Sequence, residues 1–145
     1  MNQASTSLWQ TIEMLAAQVP FSAAKIERIV PTRLVETEAS TGRSSRFLGG
    51  TPVRLADGVE FSRIDLRLRR EGTHPGFLVL DLQGRCVPFD EVRQHYADLR
   101  ITGSPGGHSL DEATSYSAVL GWGALSFGFL ERNPECLGYV AFDPA

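Results

Sequence analysis

Apolar positions recur every three or four residues through the first thirty residues of the chain. Leu8, Ile12, Leu15, Ala16 and Val19 keep that spacing, which predicts an amphipathic helix with Ser5 or Ser7 as N-cap and Pro20 as terminator. Trp9 and Met14 flank the same stripe. A second, shorter helix is predicted over 23–30, opened by Ser22, with Ile26, Ile29 and Val30 turned inward and Pro31 ending it. A helical hairpin of this kind has one apolar side and needs a sheet to cover.

From Thr32 the period falls to two. A strand is predicted over 34–39 and a polar loop over 40–45, followed by a short strand at Arg46, Phe47 and Leu48 closed by Gly49 and Gly50. Val53 and Leu55 alternate with Arg54 ahead of Asp57–Gly58, a hairpin turn signal. The clearest strand sets Ile64, Leu66 and Leu68 against Arg63, Asp65, Arg67 and Arg69. One side is buried and the other wet, as in an antiparallel sheet. Residues 77–82 are apolar on both sides apart from Asp81 and predict a central strand. Pro88 to Leu99 reads as a third helix, with Phe89, Val92, Tyr96 and Leu99 on one side. A glycine-rich loop over 103–109 precedes three more strands, at 114–120, 124–131 and 137–142, the last two joined by the Asn133–Pro134 turn. No repeat or linker divides the chain. The expected architecture is a single α+β domain over residues 1–145, an antiparallel β-sheet covered by the N-terminal helices and one further helix.

Composition narrows the functional classes. The chain is 42% hydrophobic, enough for a core, and its 21% charged residues and net charge of −3 argue against both disorder and general nucleic-acid affinity. No apolar run approaches the roughly 20 residues that cross a bilayer. Residues 1–20 lack a basic leader, and Glu13 interrupts their apolar positions. This predicts a cytoplasmic protein, with a periplasmic location as the alternative should a leader precede the sequence. Cys86 and Cys136 lie beside predicted strand ends, so a cross-sheet disulfide is geometrically open. Buried free thiols are the expectation for a cytoplasmic chain.

The candidate chemistry is sparse. Ser104-Pro105-Gly106-Gly107-His108-Ser109 lacks the lysine and the spacing of a phosphate-binding loop and reads as a surface binding loop. His108 with Asp111 and Glu112 offers a base and its orienting carboxylate but no placed nucleophile. A capped turn, with Ser109 as N-cap and Glu112 closing a capping box, accounts for the same residues more economically. His74, His95 and His108 follow no metal-ligand spacing, so neither a metal nor a cofactor is expected. Arg63, Arg67 and Arg69 share one side of a strand and form a candidate docking patch for acidic groups. The simpler reading is a solvated sheet face neutralised by Glu36, Glu38 or Glu60. In the segment 121–129, bulky Leu125, Phe127 and Phe129 alternate with small Ala124, Ser126 and Gly128. The small side is expected to be covered by the N-terminal helices.

With a short helical N-terminus, an antiparallel sheet, a glycine-rich loop before Asp111-Glu112 and the segment Trp122 to Phe129 leading to Cys136-Leu137, the chain resembles the small immunity proteins that bacteria encode beside secreted antibacterial effectors such as type VI secretion toxins. The resemblance implies a non-catalytic protein that binds a cognate protein toxin and occludes its active site, with residues 103–112 and 73–76 inserted into it. The candidate partner-binding residues are then Arg63, Arg67, Arg69, His74, His108, Asp111 and Glu112, with no nucleic acid or membrane as partner. Two rivals stand beside this reading. A small-ligand-binding α+β module would have a closed pocket behind the 122–129 strand. A hydrolase or transferase would need His95 or His108 within reach of Cys136, Ser109 or a carboxylate.

Overall fold

The computed structural model describes residues 1–42 and 44–145, and the counts below refer to them. The elements in chain order are β1 (Asn2–Gln3), α1 (Leu8–Ala16), α2 (Ala23–Ile29), β2 (Val35–Glu36), a 3-10 turn (Glu38–Ser40), β3 (Ser45–Gly50), β4 (Val53–Arg54), β5 (Val59–Arg69), β6 (Phe77–Gly84), α3 (Phe89–His95), β7 (Arg100–Gly103), β8 (Ala113–Leu120), β9 (Gly123–Leu130) and β10 (Tyr139–Pro144). The architecture is α+β. No helix among the described residues is long and apolar enough to cross a membrane.

Both N-terminal helices start where their caps dictate. Ser7, not Ser5, opens α1: its hydroxyl accepts from the Gln10 amide at 3.2 Å, and the Gln10 side chain accepts from the Ser7 amide at 2.9 Å. Ser22 caps α2 in the same way through Lys25. Helix α1 ends at Ala16, short of Pro20, because the residues ahead of a proline are driven out of the helical region and the chain tightens after Leu15.

The strands run in the order β1-β4-β5-β6-β10-β9-β8-β7, with β3 sharing the β4 edge of β5 and β2 lying outside β3. Every pair is antiparallel except β1 with β4, which is parallel. The expectation of an antiparallel sheet therefore needs correcting at this corner. A parallel pair needs a long crossover, and α1, α2 and the β2–β3 hairpin supply it. Two residues of β1 carry no periodicity, so the pattern of the sequence could not reveal them. Nor did it reveal β7, whose Ile101 is exposed at the sheet edge. Gly49 and Gly50 lie inside β3 rather than closing it, and a Cβ at Gly50 would stand 2.6 Å from Thr32 Oγ1. Glycine there lets the 32–34 segment lie against the strand.

All three helices cover one face of the sheet. Trp9 of α1 packs on Phe127 with ring centroids 6.1 Å apart, and Phe89 of α3 on Phe129 at 5.8 Å; Tyr96, just past α3, meets Phe127 at 5.4 Å. The core between them holds Leu8, Ile12, Leu15, Ile64, Leu66, Leu80, Phe127 and Phe142, all essentially inaccessible. The helices thus lie on the bulky side of 122–129, and the expectation that they cover its small side is overturned. Apolar area decides this: burying three large side chains releases far more water-exposed surface than burying Ala124, Ser126 and Gly128.

A polar clasp ties this layer to the sheet. Glu91 of α3 accepts from Trp9 Nε1 at 2.8 Å and from Arg85 Nη1 at 2.9 Å, and Arg85 also reaches Asp57, whose Oδ2 accepts the Leu8 amide at 3.0 Å. The Arg85 hydrogen bond holds the Glu91 carboxyl below its ordinary value, with Trp9 helping and burial opposing. Protonation therefore occurs first in the unfolded chain. Stability from this group is complete above the ordinary value and is lost as pH falls through the lower folded one. Urea unfolding at pH 5 and pH 3 should show wild type losing more stability than Glu91→Gln over that interval.

Candidate functional site

The second face of the sheet carries no helix. Its residues follow from the register. One row runs Val35, Gly49, Asp65, Val79, Ala141, Ser126, Ser117, Arg100 across eight strands, and a second runs Arg63, Asp81, Tyr139, Gly128, Ser115, Gly103. The β7 side of this face is small and hydroxyl-bearing. Thr102 and Ser117 hydroxyls lie 2.7 Å apart, Ser117 and Ser126 2.7 Å, and Ser115 and Tyr139 2.6 Å. The Tyr139 ring lies over Gly128, in space that any Cβ there would occupy.

The β3–β5–β6 side is different in character. Phe47, Arg67 and Phe77 are direct cross-strand neighbours. The Arg67 guanidinium sits 4.6 Å from the Phe47 ring centroid and 5.8 Å from that of Phe77. A groove of about 600 Å³ opens here between the 3-10 turn and the sheet, lined by Glu38, Phe47, Arg63, Arg67, Phe77 and Val79 among others. A smaller cavity of about 240 Å³ adjoins it, lined by Ser45, Arg67, Arg69, His74, Phe77 and Asp143. Exposed apolar surface continues at both ends of the face: Val35 is 58% and Val119 81% exposed.

The structure gathers Arg63, Arg67, Arg69 and His74 into this corner. Arg63 is partly neutralised by Asp65 at 3.4 Å and Asp81 at 3.9 Å. Burial pushes the Asp81 carboxyl above its ordinary value, with Arg63 pulling it down and Asp65 pushing it up. Of the neutralising carboxylates considered from the sequence, Glu36 is taken by Arg46 at 2.6 Å and Glu60 by Arg54 at 3.4 Å.

His108, Asp111 and Glu112 lie elsewhere, on the loop between β7 and β8. From the arginine strand to β8 is four strand spacings, about 19 Å, and the loop leaves the opposite strand end, on the order of 30 Å from Arg69. Here the capped-turn reading describes the geometry in part. Glu112 accepts from the amides of Gly106, His108 (2.8 Å) and Ser109 (3.0 Å), while the Ser109 hydroxyl accepts from Asp111 rather than from Glu112, and no helix follows. Those backbone donors hold the Glu112 carboxyl below its ordinary value. Asp111 pairs with Arg132 at 2.6 Å. Both carboxylates thus shape the loop, and His108 and Leu110 are its outward groups, around a shallow depression of about 520 Å³.

Both cysteines and two of the histidines have partners within the fold. Cys136 is bonded to Cys86, so the expectation of free thiols is overturned. The cause is topological: β6 and β10 are neighbours, and the Leu137 amide bonds the Val87 carbonyl at 2.8 Å, which brings the two cysteines side by side. His95 stacks on Trp9 with centroids 4.2 Å apart. Among the described hydrogen bonds, none joins a histidine ring to a hydroxyl, thiol or carboxylate, and His74 Nδ1 accepts from the Gly76 amide at 3.0 Å. On the bulky side of 122–129, Trp9 and Tyr96 pack on Phe127 and Phe89 packs on Phe129. The Phe47–Arg67–Phe77 row was missed in the sequence because which strands flank β5, and in what register, is not visible there. The wet alternation of Arg63 to Arg69 was the available signal, since its cross-strand neighbours must share the wet side.

Comparison of the chain with known protein families, curated proteins and solved structures finds no match.

Proposed function

We propose that this chain is a non-catalytic protein-binding protein, an immunity-type inhibitor that neutralises a cognate toxin by laying the uncovered face of its sheet over the toxin's active site. The observation that carries the reading is the asymmetry of the sheet. Three helices bury one face, while the other presents arginines, partly exposed Phe47, Phe77 and Val79, and a flat hydroxyl-bearing field. Eight strands at the usual spacing make this face about 34 Å wide, a breadth that accommodates an interface of standard size. Aromatic and arginine side chains grouped at its β3–β6 end are the types that dominate binding energy. The 103–112 loop flanks the far edge and is a second contact only if the partner spans the sheet.

The disulfide supports an oxidising compartment, so we place the protein in the periplasm rather than the cytoplasm.

The test is capture of the partner from the native bacterium on immobilised wild type, Val79→Glu and Ser126→Arg. Both substitutions sit on the open face and should leave the melting temperature within about 2 °C. Each should weaken capture roughly tenfold or more. A partner held equally by all three proteins sinks the reading.

A further inference from the structure

We propose that Arg67, flanked by the Phe47 and Phe77 rings, is a receptor for a single carboxylate side chain on the partner protein, with Arg69 and His74 as flanking donors; this rests on the protein-binding reading above. Most arginines on the sheet and its turns are already satisfied. Arg46 pairs with Glu36, Arg54 with Glu60, Arg63 with Asp65 and Asp81, and Arg85 with Asp57 and Glu91. Arg67 and Arg69 differ. Among the described residues, no carboxylate lies within ion-pair distance of either, although both are exposed.

The Arg67 guanidinium carbon lies 4.6 Å from the Phe47 ring centroid and 5.8 Å from that of Phe77, so two rings flank an exposed cation. Contact with a ring leaves the fork of N–H donors, which matches a carboxylate's two oxygens, without a carboxylate of this chain. The register itself provides this posture, because Phe47 and Phe77 are the two direct cross-strand neighbours of Arg67. A side chain ordered before binding loses less rotamer freedom when it binds. His74 adds a donor: its Nδ1 accepts from Gly76, so the neutral ring carries its hydrogen on Nε2.

The surroundings select the occupant. Asp143 lines the same small cavity, and Glu38 and Asp65 line the adjoining groove. With a net charge of −3 as well, the protein does not present the broad positive field that gathers nucleic acid or other polyanions. Phe47, Phe77 and Val79 beside the guanidinium suit an apolar side chain next to the acid. The partner segment is therefore an exposed loop carrying Asp or Glu adjacent to a Leu- or Phe-type residue.

The probe is the capped peptide acetyl-Gly-Leu-Glu-Leu-Gly-amide, with its glutamine counterpart, titrated into the full-length ¹⁵N-labelled protein. The glutamate peptide should shift the Nε–Hε resonance of Arg67 saturably, bind roughly tenfold better than the glutamine peptide, and lose that advantage in Arg67→Lys. The double variant Phe47→Leu, Phe77→Leu should weaken the glutamate peptide while keeping all charges. Equal binding of the two peptides, no shift at Arg67, or undiminished binding by Arg67→Lys overturns the proposal. Partner capture separates the two levels. Capture lost in Val79→Glu but kept in Arg67→Lys defeats only the carboxylate receptor, whereas capture kept in both defeats the interface reading itself.

Discussion

Replacing Cys86 and Cys136 together with serine is expected to remove about 4 kcal/mol of stability, the loop-closure entropy restored to an unfolded chain once a crosslink over some fifty residues is gone. The two positions are 50 apart in sequence, so the open chain regains nearly the whole segment containing α3, β7, β8 and β9. For a domain of this size that corresponds to a fall in melting temperature on the order of 10 °C. Urea unfolding of wild type, the double variant and dithiothreitol-treated wild type measures it. The variant and the reduced wild type should coincide. A loss below about 1 kcal/mol would mean that the unfolded chain holds these segments together without the bond. Thiol titration of unfolded protein taken from its native source adds the compartment: no free thiol fits the periplasmic placement, and two fit the cytoplasm.

Phe127→Ala is expected to cost about 3–5 kcal/mol, while Ser126→Ala next to it should cost about 1 kcal/mol or less. Phe127 is wholly buried against Trp9 and Tyr96, so its removal opens a cavity between the sheet and both α1 and the end of α3. Ser126 points to the opposite face, where its hydroxyl lies 2.7 Å from that of Ser117. Chemical denaturation of the pair reads the asymmetry of the sheet directly. Similar losses at both positions would mean that the second face is packed too. That would also remove the observation on which the proposed interface depends.

Several elements were legible from the chain because their signals are local. Ser7 and Ser22 sit at the positions from which a hydroxyl reaches the third amide of a helix, so the starts of α1 and α2 were readable. The alternation from Arg63 to Arg69 announced β5 with one wet side, and Asp57–Gly58 its hairpin. Helix ends were less legible. The apolar spacing through Leu99 continues past His95, yet α3 stops there, since Tyr96 and Leu99 stay packed on the core from a chain that has already left the helix. Strands as short as β1 and β7 left no period to detect.

The candidate site divides in the same way. Arg63, Arg67 and Arg69 could be placed on one wet strand face from their spacing of two or four residues alone. That Phe47 and Phe77 flank Arg67 could not, because cross-strand neighbours depend on a register set by pairing partners twenty and ten residues away. The disulfide was undecided for a similar reason: strand ends were visible, but which strands are adjacent was not.

By itself the order of apolar and polar residues determined the longer elements, the wet side of β5 and the α+β class, because periodicity acts within one turn or one pleat. Which side of the 122–129 strand the helices cover, which cysteines meet, and which rings hold Arg67 were decided only when the strands were laid in order. Those outcomes depend on contacts between distant segments, where the gain from burying large side chains outweighs what any local pattern prefers.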